Sequence, residues 1–256
     1  MKKKNMVKRL FAVLLTLGMV MSSVVFSGAL SLTDLFPRGS NPPVTEPEEG
    51  EGNTGLGKVI ETLFTPTAPD QVLEAFGVYA DEEYIKTHEY CFAVNTSQNI
   101  VIAYTIGVDG VYSKPVKALV CSCGLESSPT KKGIFKTTDR YQWRALNGGV
   151  YGKWATRITG PYLFHSVPYE KQSSSTLETA EYNKLGQNAS AGCVRLACHD
   201  AKWVYNRCPE GTIVYIYDDS DVKEPLAKPT PQRIDPTSPY AGWDPTDDNS
   251  NNPWKS

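Results

Sequence analysis

From Tyr90 to Tyr217 the apolar residues come in short runs divided by turn formers, and that punctuation limits the fold more than any other feature of the chain. Cys91-Phe92-Ala93-Val94 and Asn99 to Tyr104 read as two strands, with a turn over Asn95 to Gln98 between them. Val116 to Gly124 is a third, closed by its glycine, and Ser128 to Gly133 punctuates before Ile134-Phe135-Lys136-Thr137. Tyr151 to Ile158, Tyr162 to Val167 and Gly211 to Tyr217 complete the set. Such runs are too short for helices and rich in the branched and aromatic residues that suit a pleated surface. Asp200 to Asn206 alone among the late segments has the spacing of a short amphipathic helix, with Asp at its start. The expectation is a mainly β (α+β) domain over 85–218 with a short helix after Cys193.

The flanks differ in kind. Met1-Lys2-Lys3-Lys4 and Lys8-Arg9 form a basic head, Leu10 to Phe26 is mostly apolar, and Ser27-Gly28-Ala29 supplies small residues of the sort a signal peptidase cuts after. Residues 1–29 therefore read as a signal peptide or an uncleaved N-terminal anchor, the run lying between the usual lengths of the two. Either reading exports the remainder, to the cell wall or to the outer face of the membrane, because the positive charges stay inside. Residues 30–57, with Pro37, Pro42, Pro43, Pro47 and four glutamates among glycines, cannot bury enough apolar surface to fold and read as a disordered linker. A short helical lead-in over 58–84 follows, with Pro69 and Asp70 opening a helix and Gly77 closing it. After Tyr217 the chain turns to Asp, Pro, Asn, Ser and Thr, which predicts a disordered C-terminal tail over 219–256, with Trp243 and Trp254 packing locally onto the domain or, as the alternative, contacting wall or carbohydrate. A formal net charge of -2 gives no case for nucleic acid. A monomer is expected.

Chemistry concentrates at Ser190-Ala191-Gly192-Cys193-Val194-Arg195-Leu196. A free thiol is mostly protonated at neutral pH and needs a base to become a nucleophile. Phe164-His165-Ser166 offers one in a strand-like, apolar setting. Gly192 permits a tight turn, so that its N–H and that of Cys193 are placed to face an oxyanion. Arg195, two residues on, shares a face with Cys193 in an extended segment, where its charge favours thiolate or orients a substrate carboxylate. Composition alone leaves the alternative open, since a cysteine in a small-residue turn is more often structural than nucleophilic.

His165-Ser166, the spacer through Glu181 to Gly186, and Ser190 to Leu196 together resemble the signature of L,D-transpeptidases, whose YkuD-like catalytic domain is β-sandwich-like with the His and Cys on one rim. The resemblance extends to Gly124, to Pro129 through Phe135, and to Asp200-Ala201 with Gly211-Thr212. It implies that Cys193 is the acyl-accepting nucleophile, His165 its general base and acid, and the Ser166 backbone carbonyl the group that orients the ring. Ser190, Gly192 and Arg195 match the motif positions around the thiol as oxyanion or substrate contacts. The common form of the motif has His where this chain has Ala191, and the spacer from His165 to Ser190 is longer than usual. The implied reaction is acyl transfer on peptidoglycan stem peptides, donor and acceptor. A thioester forms at the L-centre joined to a terminal D-Ala and passes to an amine or to water. No cofactor is implied, and carbapenems typically acylate the family.

The remaining histidines invite plainer readings: His88 faces solvent and His199 sits at a helix start. Cys193, Cys198, His199 and Cys208 fit no standard zinc spacing, so no metal is expected. Six cysteines in an exported chain raise the question of disulfides, but one thiol must stay free, so at most one bridge among the other five is expected. A sortase places its Arg on a later strand, and papain-like hydrolases place Cys before His. The reading from a different class is a non-catalytic wall-binding module on the same scaffold.

Overall fold

The computed structural model describes residues 67–255. The predicted leader and linker, and the first residues of the lead-in, lie outside the described residues. Two helices come first, α1 (Asp70–Gly77) and α2 (Glu82–Thr87), then the strands β1 (Cys91–Asn95), β2 (Ile100–Thr105), β3 (Lys114–Ser122), β4 (Gly133–Lys136), β5 (Arg140–Ala145), β6 (Tyr151–Thr159) and β7 (Tyr162–Ser166). A short helix α3 (Thr179–Tyr182), strand β8 (Val194–Leu196), helix α4 (Cys198–Arg207) and strand β9 (Ile213–Tyr217) complete the order. The fold is mainly β, as the punctuation requires.

All strands belong to one sheet in the order β4-β9-β1-β2-β3-β8-β7-β6-β5. The pairs β1·β9 and β7·β8 are parallel and the rest antiparallel. Its two end strands are joined by only Thr137, Thr138 and Asp139, so the sheet must curl. The Thr137 N–H reaches the Thr212 carbonyl at 2.9 Å, and the Thr138 N–H reaches that of Arg157 at 3.0 Å. Inside the curl lie Phe92, Val94, Val101, Ala103, Leu119 and Phe164, with Ala201 and Val204 of α4 closing the core. On the other face of β1, β2 and β9, Val72 and Phe76 of α1 and Tyr84 of α2 cover Ala93, Ile102 and Ile213. Burial on both faces explains why β2 reads as a continuous apolar run rather than an alternation. It also explains α1, since a helix of 8 residues is unstable alone, and each fully buried side chain such as Val72 or Phe76 contributes roughly 1.5–3 kcal/mol.

Two expectations need correction. Helix α2 was not anticipated; the Asp81 carboxylate caps it, accepting the Tyr84 N–H at 2.9 Å. The larger correction concerns the tail predicted as disordered over 219–256, whose residues up to 255 form a strap laid over the domain. Ile234 exchanges two hydrogen bonds with the Asn183 side chain, at 2.8 and 2.9 Å, and the Leu177 N–H reaches the Gly242 carbonyl at 2.8 Å. Asp244 and Asp247 are fully buried: the first accepts the Cys198 N–H at the start of α4, the second pairs with Lys153 at 2.7 Å. Carboxylates and carbonyls hold the strap where a composition argument counts only apolar residues. Trp254 packs locally, its Nε1–H donating to the carbonyls of Tyr240 and Trp243. All six cysteines are free thiols, and only Cys193 is not buried. Among the described residues no helix is long and apolar enough to cross a membrane.

Candidate active site

Strands β7 and β8 run parallel with Phe164 beside Val194, His165 beside Arg195 and Ser166 beside Leu196. That register places the imidazole one strand away from the turn that ends at Cys193. His165 is buried, and its Nδ1 lies 2.5 Å from the Ser166 carbonyl. A carbonyl only accepts, so Nδ1 carries the proton and Nε2 keeps a lone pair. Burial pulls the imidazole down to about 4; the Ser166 carbonyl opposes that shift and the Arg195 charge adds to it. Burial pushes the Cys193 thiol above its ordinary range, partly offset by the Leu163 N–H and the charges of Arg195 and Arg157. The resting pair is therefore neutral thiol and neutral imidazole.

The turn before the thiol is held by its own polar groups. The Ser190 hydroxyl donates to the Cys193 carbonyl at 2.6 Å and accepts the Gly192 N–H at 3.0 Å. Gly192 has φ 108, and a Cβ there would lie 2.7 Å from Tyr162 Cε1, so both the backbone angle and the close approach demand glycine. Ser190 itself is pinned to the end of β3, its N–H bonding the Cys123 carbonyl at 3.0 Å. The Cys193 sulfur lies 3.6 Å from the Pro161 carbonyl, which accepts the thiol proton.

Of the residues singled out from the sequence, Cys193, His165, Ser190 and Arg195 line one cavity of about 260 Å³, and Ser166 and Gly192 do not. Three of them do something other than expected. Arg195 is not open to a substrate carboxylate, because its guanidinium pairs with Glu181 at 2.6 Å and donates to the Ala189 carbonyl at 3.1 Å. The Gly192 N–H is committed to Ser190, and the Ser190 hydroxyl is committed to the turn. His88 is half-buried rather than solvent-facing, stacked on Tyr84 at 4.1 Å with Nε2 on the Glu210 carbonyl at 3.0 Å.

Sequence reasoning missed the far wall of the cavity, which is the hairpin of β5 and β6. Its tip contributes Leu146, Asn147 and Val150, and the strands contribute Arg144 and Arg157. The signal was present as the alternation of Tyr141, Trp143 and Ala145 with charged and polar residues. Gly152 on β6 was missed as well. A Cβ there would lie 2.8 Å from His165 Nδ1 and 2.9 Å from Cγ, so the histidine ring occupies the space that the glycine leaves.

Residues 89–216, half of the chain, match the family YkuD, L,D-transpeptidase catalytic domain. The chain is 39% identical over 111 residues to the "Putative L,D-transpeptidase YciB" of Bacillus subtilis (strain 168), a stretch covering 41% of this chain and 56% of that protein. It is 25% identical over 202 residues to "L,D-transpeptidase 2" of Mycobacterium tuberculosis (strain CDC 1551 / Oshkosh), covering 69% of this chain and 46% of that one. It thus spans about half the length of the curated relatives it matches. Among solved structures, an L,D-transpeptidase from Mycobacterium smegmatis superposes with a TM-score of 0.41 at 17% identity, over 50% of this chain and 58% of that one. The matched stretch runs from before β1 into β9 and contains both His165 and Cys193: the chain belongs to the YkuD family of L,D-transpeptidase catalytic domains.

Proposed function

We propose that this protein is an exported, cysteine-dependent L,D-transpeptidase acting on peptidoglycan stem peptides. The observation that supports the reading is that a half-buried thiol and a buried imidazole line one cavity, the imidazole's Nδ1–H fixed on the Ser166 carbonyl. That hydrogen bond selects the tautomer whose Nε2 accepts a proton.

In the first half-reaction Cys193 Sγ attacks the carbonyl carbon of the third stem residue while its proton passes to His165 Nε2. The C–S bond forms and the carbonyl electron pair moves onto oxygen. With the Gly192 N–H engaged, the Cys193 N–H is the donor left in the turn for that oxyanion. The intermediate collapses, the C–N bond breaks, and D-Ala leaves with the proton from Nε2. In the second half an amine of a neighbouring stem attacks the thioester and gives its proton to Nε2, and the returning thiolate takes it back. Water in place of the amine gives a carboxypeptidase outcome. The Arg195–Glu181 pair props the end of the spacer against the cysteine turn instead of holding substrate.

The test is to incubate the full chain with a disaccharide-tetrapeptide and follow protein and products by mass spectrometry. A thioester on Cys193 and a dimer lacking one D-Ala are expected; a tripeptide alone would mean hydrolysis. A folded protein with neither adduct nor turnover would leave the wall-binding module as the better reading. Gly152→Ala probes the same machinery from behind. A Cβ inside the van der Waals radius of the buried ring must displace it, and a shift of about 1 Å in a catalytic group costs about 10²-fold. Release of D-Ala is expected to slow by about that factor; an unchanged rate would mean that the ring's position does not matter.

A further inference from the structure

Three arginines line the cavity beside Cys193, Arg144, Arg157 and Arg195, and no Asp or Glu lines it. Two of the three are already neutralised from behind. Arg195 pairs with Glu181 at 2.6 Å, and Arg157 pairs with Asp139 at 2.9 Å while also donating to the Gly160 carbonyl. Among the described residues no carboxylate pairs with Arg144. Its guanidinium instead rests over the Tyr141 ring, 4.8 Å from the centroid. The backbone register fixes where it points. Arg144 sits opposite Gly152, and directly opposed residues project from the same face of a sheet. On that face the His165 ring fills the space beside Gly152. Arg144 is thus the one cavity-lining cation held on the reactive side of the hairpin with its charge unmet.

We infer that Arg144 binds the free C-terminal carboxylate of the donor stem and makes the enzyme selective for a donor that ends in an acid. The inference rests on the transpeptidase reading above. The scissile carbonyl carbon and the carboxylate carbon of the terminal residue are consecutive carbonyl carbons of one chain, at most ~3.8 Å apart like consecutive Cα atoms. Once the scissile carbonyl meets Cys193, its carboxylate must lie within the same small cavity. An anion there is favoured by a charged partner, and Arg144 is the group that offers a planar fork without first breaking an existing ion pair. Its place at the exposed edge strand β5 also suits a leaving group, because D-Ala departs toward solvent.

The experiment compares two donors, a tetrapeptide stem ending in D-Ala and the same stem ending in D-Ala carboxamide, with wild type, Arg144→Gln and Arg144→Lys. Initial rates of release of the terminal residue give kcat/KM. For the free acid, Arg144→Gln is expected to lower kcat/KM by ~10- to 100-fold, mainly through KM, with Arg144→Lys in between. For the carboxamide, wild type is expected to fall to the Arg144→Gln level and the substitution to add nothing. An equal loss on both donors would overturn the proposal, since the arginine would then support the hairpin or bind another acid of the stem. No loss on either, or a carboxamide turned over as well as the acid by wild type, would overturn it too. Wild type inert toward both donors would instead sink the transpeptidase reading itself, a result distinct from any pattern among the variants. Alkylation of Cys193 at the wild-type rate in each variant confirms that the folded site is being compared.

Discussion

Cys193→Ser is expected to lower thioester formation and D-Ala release by ~10⁴-fold or more, and His165→Gln by at least ~10³-fold, with both variants folded. Serine keeps the size and polarity of the turn residue but replaces a thiol with an alcohol that a weak imidazole base cannot deprotonate. Glutamine keeps a donor for the Ser166 carbonyl and loses the proton-accepting nitrogen. The double variant is expected to be no slower than Cys193→Ser alone, because a base with no nucleophile to serve contributes nothing. Additive losses would mean that the two residues do not act as a unit. The wild-type pH profile of acylation follows from the neutral resting pair. Protonating the imidazole removes the base, and burial holds that event down to about 4. Acylation kcat/KM should therefore stay level from neutral pH to about 5 and fall as pH drops through about 4. The high-pH limb should lie above the ordinary thiol range, because burial raises Cys193. An acid limb near the usual histidine value of about 6.5 would mean that the ring is solvated in the working enzyme.

How much of this was legible beforehand depended on which force fixes each segment. Strands β1, β2, β6, β7 and β9 are set by apolar runs between turn formers, and the sequence marks them within a residue or two. The β5 strand was missed because as a sheet edge it buries little, and Arg140, Gln142 and Arg144 mask the alternation of Tyr141 and Trp143. That Cys193 and His165 line one cavity, with the Ser166 carbonyl on the ring, was legible because the motif fixes their neighbours. The partners of Arg195 were not, since Glu181 sits on α3 and only folding brings it within 2.6 Å. Gly152 was invisible for the opposite reason: its role is to be absent where the His165 ring lies. The hydrogen bonds of the Ser190 hydroxyl within its own turn were not legible, because a hydroxyl near a thiol looks like a substrate contact until those bonds are counted. The strap was misjudged for want of apolar residues, although a chain can be fixed as firmly by buried carboxylates with partners.

That last point carries the second large expectation. Asp247→Ala should destabilise the domain by ~3–5 kcal/mol, lowering Tm by roughly 10 °C. Asp247 is fully buried and Lys153 nearly so, with Lys153 Nζ held 2.7 Å from Asp247 Oδ2 and 2.9 Å from Ser174 Oγ, over the rings of Trp143 and Trp154. Removing the acid leaves an ammonium in an apolar box with one hydroxyl for company. The neighbouring pair, Lys202 with Asp248 at 2.5 Å, is the control. Its side chains are 32% and 47% exposed, and Asp248→Ala should cost under about 1 kcal/mol. If burial is the cause, Lys153→Met combined with Asp247→Leu should recover most of the loss, since well-packed apolar residues replace a buried ion pair at little cost. Equal effects of Asp247→Ala and Asp248→Ala in urea unfolding would mean that the strap is dispensable. The consequence reaches the active site because Lys153 belongs to β6: its N–H donates to Ser166 Oγ at 2.8 Å, and the Ser166 carbonyl holds His165 Nδ1. A loosened Lys153 frees the strand that carries Gly152 as well. Asp247→Ala should therefore lose D-Ala release at temperatures well below its own melting point, while Asp248→Ala keeps it. The C-terminal strap thereby contributes to the catalytic geometry without touching substrate.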